Sequence, residues 1–194
     1  MRKEYKFVMN NIQISSFLNF YNKNIEKLHK SNFISSIYYD TNNFEIYRSS
    51  LYKDINKYKY RIREYNRSTK FQKELKVSHY NKLKFKSKTF KDIDVQKKIF
   101  FKNYTLEPKS LVSYNRNYYK FFNSRLTIDS NIKYKIPQSN LQANESISIV
   151  ELKILNNSFT DIERYFPSNP VRFSKFQNSI TKLYFLQNKF LEEN

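Results

Sequence analysis

Lys57-Tyr58-Lys59-Tyr60-Arg61-Ile62-Arg63-Glu64-Tyr65 alternates basic side chains with aromatic or aliphatic ones. Successive side chains of a β-strand point to opposite faces, so Lys57, Lys59, Arg61 and Arg63 share one face while Tyr58, Tyr60 and Ile62 share the other. The second face has the character of a core face, which makes the first an organised cationic wall. The alternation returns in Lys82-Leu83-Lys84-Phe85-Lys86-Ser87-Lys88, with the lysines in phase and Leu83 and Phe85 opposite them. Taken alone, each segment is equally an ordinary two-faced strand whose charges meet water and discourage edge pairing.

Outward from this stretch, period-two segments bounded by polar turns occur at 2–9, 34–40, 44–51, 57–65, 71–77, 82–88, 111–118, 125–135 and 147–155. They predict an antiparallel, strand-dominated domain of eight strands, with one merger or misreading among the edges. Helical spacing appears in Phe17, Leu18, Tyr21, Ile25 and Leu28, in Phe90, Ile93, Ile99 and Phe100, and in Ile180, Leu183, Tyr184 and Phe190. Thr89 and Ser174 stand at the N-cap positions of the second and third of these helices. His29 is expected to end a helix and His79 to sit in a turn; Asp40 and Asp129 read as strand-closing residues. The one loose segment is 137–144, and no linker or repeat divides the chain, so residues 1–194 are expected to form a single domain.

Lys plus Arg number 36 against 17 Asp plus Glu, a formal charge of +19 that repels itself unless a polyanion neutralises it. The chain has no cysteine and two histidines, which excludes disulfides, thiolate metal sites and thiol nucleophiles and leaves too few ligands for a zinc cluster. It also has no glycine, and phosphate-cradling loops, dinucleotide turns and nucleophile elbows all need positions that glycine fills most easily. Anion binding therefore falls to side chains. Asparagine is expected to carry the turns, as at Asn42-Asn43 and Tyr80-Asn81. No run is long enough for a membrane span, and a cytoplasmic protein is expected.

Carboxylates enter the basic faces in a fixed order, as Glu4 with Lys6, Glu74 with Lys76 and Glu151 with Lys153. Such a unit places a hard oxygen ligand beside a phosphate counter-charge and suits Mg2+ or Mn2+ bridged to phosphates; alternatively each pair is a salt bridge.

Eight motifs then follow in one order: Arg2-x-Glu4-x-Lys6, Ile37-Tyr38-Tyr39-Asp40-Thr41, Tyr60-Arg61-Ile62-Arg63-Glu64-Tyr65, Glu74-Leu75-Lys76, Tyr114-x-Arg116, Arg125-Leu126-Thr127-Ile128-Asp129, Val150-Glu151-Leu152-Lys153 and Phe173-Ser174-Lys175-Phe176. The series resembles the polyphosphate-polymerase domain of the vacuolar transporter chaperone family, in its stand-alone bacterial form. The resemblance implies an α+β fold: a closed antiparallel eight-stranded β-barrel, the triphosphate tunnel of the CYTH-like metalloenzyme superfamily, with flanking helices. It implies ATP and polyphosphate as partners, Mn2+ or Mg2+ as cofactor, no specific nucleic acid, and a separate membrane protein as neighbour. Carried over by residue, it implies that Lys6, Arg61, Arg63, Lys76, Arg116 and Arg125 bind phosphates, with Tyr114 hydrogen-bonding beside them. Glu151 becomes the metal ligand, Ser174 and Lys175 hold the incoming phosphates, and Lys84 or Lys86 supplies a further basic contact. The hairpin Ser78-His79-Tyr80-Asn81 departs from the family in lacking glycine.

Two other readings share these residues. A tripolyphosphatase or RNA triphosphatase of the same superfamily typically carries Glu-x-Glu metal pairs, where this chain has Arg2-x-Glu4 and Glu151-x-Lys153. A non-catalytic polyphosphate or nucleic-acid binder would want Tyr and Phe interleaved on the cationic face, and Tyr58, Tyr60, Leu83 and Phe85 fall opposite.

Overall fold

The computed structural model describes residues 3–52, 57–68, 70–79, 82–90, 94–154 and 162–186; of residues 79, 82–90, 162 and 163 it describes the backbone alone. The strands are β1 (Lys3–Met9), β2 (Ile25–Asp40), β3 (Lys57–Tyr65), β4 (Phe71–His79), β5 (Lys82–Phe90), β6 (Ile99–Phe101), β7 (Tyr104–Phe121), β8 (Ser124–Lys135), β9 (Gln142–Asn144) and β10 (Ser148–Ile154). Helices α1 (Asn11–Phe20), α2 (Glu45–Leu51) and α3 (Lys175–Ile180) are joined by a 3-10 turn at Ile162–Tyr165 and a wider π-type turn at Thr181–Leu186 that prolongs α3. The β-rich, antiparallel character expected from period-two alternation is present throughout.

The chain packs as two compact units. The first comprises Met1–Phe33, Tyr114–Ile132 and Asn144–Phe173, and the second Ile34–Ser113, Lys133–Ala143 and Ser174–Asn194. In the first unit β1 pairs with β10 and β10 with β8, in a register that sets Lys6 opposite Glu151 and Glu151 opposite Thr127. The odd residues of β1 and the even ones of β8 and β10 face a core of Phe7, Met9, Leu126, Ile128, Val150, Leu152 and Ile154, closed by Phe17 of α1 and by Phe166. Phe7 stacks on Phe166 with ring centroids 3.8 Å apart. Burying side chains of this size contributes roughly 1.5–3 kcal/mol apiece, which fixes which face of the sheet remains polar. Asn10 begins α1 with a reciprocal capping box, its side chain accepting from Gln13 N–H while the Gln13 side chain accepts from its own backbone N–H.

In the second unit β3 pairs with β2 and β4, and β4 with β5. Ile62 is buried, and Tyr60 packs edge-on against Tyr39, so the apolar face of β3 turns inward as its sequence predicts.

Three expectations are corrected. The segment 44–51 forms α2 instead of a strand: the Asp40 carboxylate accepts the N–H groups of Thr41, Ile46 and Tyr47 at 2.7, 2.9 and 2.8 Å, and Thr41 Oγ1 accepts that of Glu45. A carboxylate that satisfies the orphan donors of a first turn outweighs the strand preference of Tyr47 and Ile46. The first helix stops at Phe20, and Ile25 to His29 belong to β2, where the imidazole of His29 packs 4.2 Å from the ring of Tyr118. No helix occupies the described part of 90–100: Phe90 ends β5, Ile99–Phe101 is β6, and Ile93 lies outside the described residues. The Ser174 cap is present, its hydroxyl accepting from Gln177 N–H. Phe190 and the Tyr80-Asn81 turn lie outside the described residues.

Without glycine, left-handed backbone falls on Phe44, Asn66, Arg67, Lys102, Phe122, Asn131 and Gln138 among the described residues. Asparagine takes only two of these positions, fewer than its abundance led one to expect.

Candidate functional site

The polar face of the first unit is built on the β1–β10–β8 register. Glu4 and Lys6 of β1 stand opposite Lys153 and Glu151 of β10, so charges alternate in both directions. Lys6 Nζ lies 3.4 Å from Glu4, and Lys153 Nζ lies 3.5 Å from Glu4 and in contact with Glu151 Oε1. Lys6 also donates to the Phe173 carbonyl at 3.0 Å. Glu151 is buried. Burial alone would raise the pKa of its carboxyl, but Lys153, Lys6 and Arg116 together hold it below the ordinary value, so it is ionised. Its Oε1 has an ion-pair contact with Lys153 without the alignment of a hydrogen bond.

Arg116 of β7 completes this face. Its Nε and one terminal nitrogen donate to the two oxygens of Asp129 at 2.5 and 2.7 Å, and its guanidinium carbon lies 5.4 Å from the centre of the buried Tyr114 ring. Arg125 is solvent-exposed and opposite Lys153. Lys6, Tyr114, Arg116, Arg125 and Glu151 therefore all belong to one unit.

The second unit carries the other expected residues. Arg61 donates through Nε to Glu74 at 2.5 Å and through a terminal nitrogen to Tyr38 Oη at 2.9 Å. Arg63, itself buried, donates to Ser36 Oγ at 3.0 Å and lies 3.8 Å from the other Glu74 oxygen. Glu74 thus serves two arginines of the neighbouring strand instead of pairing with Lys76 within its own. Lys76 is half-buried and stands opposite Lys59. Lys59 donates to the Ser174 hydroxyl at 2.9 Å, and Lys175 is the first residue of α3. The register sets Glu74 opposite Ser87 and Lys76 opposite Phe85, whereas Lys84 and Lys86 stand opposite Val77 and Leu75. Positions 84 and 86 therefore share the sheet face of Leu75, and their side chains lie outside the described residues.

Asp129, Glu74 and Tyr38 play parts that sequence reasoning missed. Asp129 and Glu74 fix arginines, a role hidden because each partner lies 13 residues away on another strand. Tyr38 and Tyr114 sit beneath the arginines, so aromatic rings do occur on the cationic faces; both are buried and offer no stacking platform to a base.

Among the described residues no three His, Asp or Glu side chains gather as a metal-ligand set. Glu151 nevertheless fits a divalent cation as an ionised, buried carboxylate, with a cation competing with Lys153 for its Oε1. Magnesium typically uses one or two carboxylates and takes its other ligands from water and substrate phosphates. Glu151 thus suits a cation that arrives with a phosphate chain.

The sequence matches the VTC domain over residues 1–184. The chain belongs to the VTC domain family. No curated protein matches this VTC domain in sequence. Its fold is similar to that of a protein from Vibrio parahaemolyticus provisionally assigned as an adenylate cyclase, with a TM-score of 0.55, 15% identity, and coverage of 93% of this chain and 97% of that one. HpAC1 from Hippeastrum, a provisionally assigned adenylyl cyclase with a dominant triphosphatase activity, gives 0.57 at 13% identity over 94% and 96%. The PH1819 protein of Pyrococcus horikoshii gives 0.55 at 12% identity over 94% and 99%. These likenesses show that the VTC domain shares the fold of these proteins.

Proposed function

We propose that this VTC domain is a phosphotransferase that lengthens polyphosphate with the γ-phosphate of ATP, on a closed tunnel of eight antiparallel strands. The observation that carries the proposal is that each unit presents a strand-borne arginine already oriented by a buried carboxylate, Arg61 by Glu74 and Arg116 by Asp129. Phosphoryl transfer asks for positioning and charge neutralisation more than for covalent chemistry by the protein. Guanidiniums held in place before the substrate arrives need no reorganisation as charge develops on the non-bridging oxygens.

In this reading Arg61, Arg63, Arg116 and Arg125 clamp phosphate oxygens, with Lys6, Lys76 and Tyr114 beside them. Ser174 and Lys175 receive the incoming phosphates, while Lys84 and Lys86, whose positions share the face of Leu75 and not that of Glu74 and Lys76, are left out of the clamp. Glu151 would hold Mg2+ or Mn2+, which supplies neutralisation of the triphosphate. No side-chain nucleophile is required.

Hydrolysis is the second reading, favoured by the triphosphatase activity of the similarly folded HpAC1. Against it, Glu4 is ion-paired to two lysines, Glu74 to two arginines and Asp129 to Arg116. Few carboxylates are left for activating water between two metals. Incubation with ATP and Mn2+, with gel sizing of polyphosphate and assay of free phosphate, separates the two. Chain growth that is lost in Glu151→Ala supports synthesis; free phosphate without chains supports hydrolysis. A membrane partner belongs to the same proposal.

A further inference from the structure

Tyr38 occupies an unusual position. It lies on β2 directly opposite Arg61 on β3, with its side chain buried. Its ring is stacked on Phe176 of α3, with centroids 5.4 Å apart and planes 30° from parallel, and the Arg61 guanidinium carbon is 5.7 Å from its centre. Its hydroxyl oxygen accepts from Arg61 at 2.9 Å, while the opposite edge of the same guanidinium is taken by Glu74. Arg61 is therefore held at both ends, and Tyr38 is one of the two holders.

The charges around that hydroxyl are unbalanced. From β3 it feels Arg61, Arg63 and Lys59. From β4 the nearest carboxylate, Glu74, is already shared by the two arginines, and from α3 the packed side chain is the uncharged Phe176. Its other neighbours on β2, Ser36 and Asp40, contribute a neutral hydroxyl and a carboxylate committed to capping α2. Burial by itself would raise the phenol, but the three cations and the Arg61 hydrogen bond prevail and bring it down to about 7.

We propose that Tyr38 is a proton-linked positioning residue: in the empty site its oxygen is the second counter-charge that orients Arg61, and a phosphate chain that neutralises Arg61 and Lys59 returns a proton to that oxygen. The step balances, with one solvent proton bound at Tyr38 Oη as phosphate negative charge replaces phenolate. It rests on the reading of the Arg61 face as a phosphate site, and it adds that substrate binding and proton uptake are coupled there. Linkage requires the reciprocal effect, so triphosphate should bind more tightly as pH falls from about 8 toward 7.

The experiment has two parts, on the full chain. An ultraviolet pH titration of the free protein reads tyrosinate directly. One of the 17 tyrosines should ionise near neutrality, that step should vanish in Tyr38→Phe, which keeps the ring stacked on Phe176, and it should move to higher pH in Arg61→Gln. Calorimetric titration of tripolyphosphate at pH 8 in buffers of different ionisation enthalpy then reads protons. Wild type should take up about one proton per ligand more than Tyr38→Phe, a difference from which the ligand's own ionisation cancels. No tyrosine ionising below pH 9, or equal uptake in Tyr38→Phe, overturns the proposal. Failure of wild type to bind tripolyphosphate while the low tyrosine step persists overturns the phosphate reading, and the coupling with it, but leaves the perturbed phenol standing.

Discussion

Asp129 holds Arg116 by both oxygens, at 2.5 and 2.7 Å, and the carboxylate is fully buried. The pair is an orienting device: a planar fork is fixed against a planar acceptor. Arg61 and Glu74 repeat it in the second unit, again with the carboxylate 13 residues beyond the arginine.

Replacing Asp129 by Asn should therefore damage more than a contact. It leaves a largely buried cation without its counter-charge, and breaking such a pair costs about 3 kcal/mol or more. Urea unfolding should show that loss, and ligand binding should fall as well, since Arg116 no longer has a fixed orientation. Asp129→Asn with unaltered stability would mean that the pair orients nothing.

Asp40 makes a different prediction, in pH. Burial raises its carboxyl to about 6, against the lowering influence of the Ile46, Tyr47 and Thr41 N–H groups and of Lys109. The folded state thus holds a proton that the unfolded chain has released, so this contribution is full below about pH 4 and fades as pH rises through 6. Glu107 and Glu151, both lowered, act in the opposite sense and lose their contribution as pH falls. The difference in unfolding free energy between wild type and Asp40→Asn isolates the Asp40 part and should shrink from pH 4 to pH 7. Asp40→Ala should be about 2 kcal/mol less stable than Asp40→Asn at any pH in this range, because several buried N–H groups lose their acceptor.

The hairpin between β3 and β4 places Asn66 and Arg67 both at positive φ, 52° and 54°. Two successive left-handed residues are the geometry of a type I′ turn, for which Asn-Gly is preferred. Arg67→Gly should stabilise the protein by about 1 kcal/mol, read as a raised denaturation midpoint with unchanged slope. A drop in stability would show that the arginine side chain is worth more than its backbone strain.

The faces of β1, β3, β4 and β10 were legible in the sequence because a period of two survives any uncertainty about neighbours. Which residues complete the site was not, since Arg61 finds Glu74 and Arg116 finds Asp129 only once two strands are in register, and register is set by turns that a chain without glycine builds from Arg67 or Phe122. The α2 segment was misread for a related reason. Its apolar residues suit a strand, and the decisive group, the Asp40 carboxylate, precedes the helix and reaches forward six and seven residues. The strand of lysines at 82–88 shows the limit of periodicity: it gives two faces, whereas the pairing of Lys86 with Leu75 decides which one they share.

Binding of tripolyphosphate at fixed ionic strength is the most direct test, because any protein of charge +19 attracts polyanions and only a built site distinguishes one cation from another. Arg61→Ala and Arg116→Ala are compared with Lys27→Ala and Lys133→Ala, which remove exposed lysines. The account predicts about tenfold or greater weakening in each arginine variant and little change in either lysine variant. Equal, small losses in all four would contradict it.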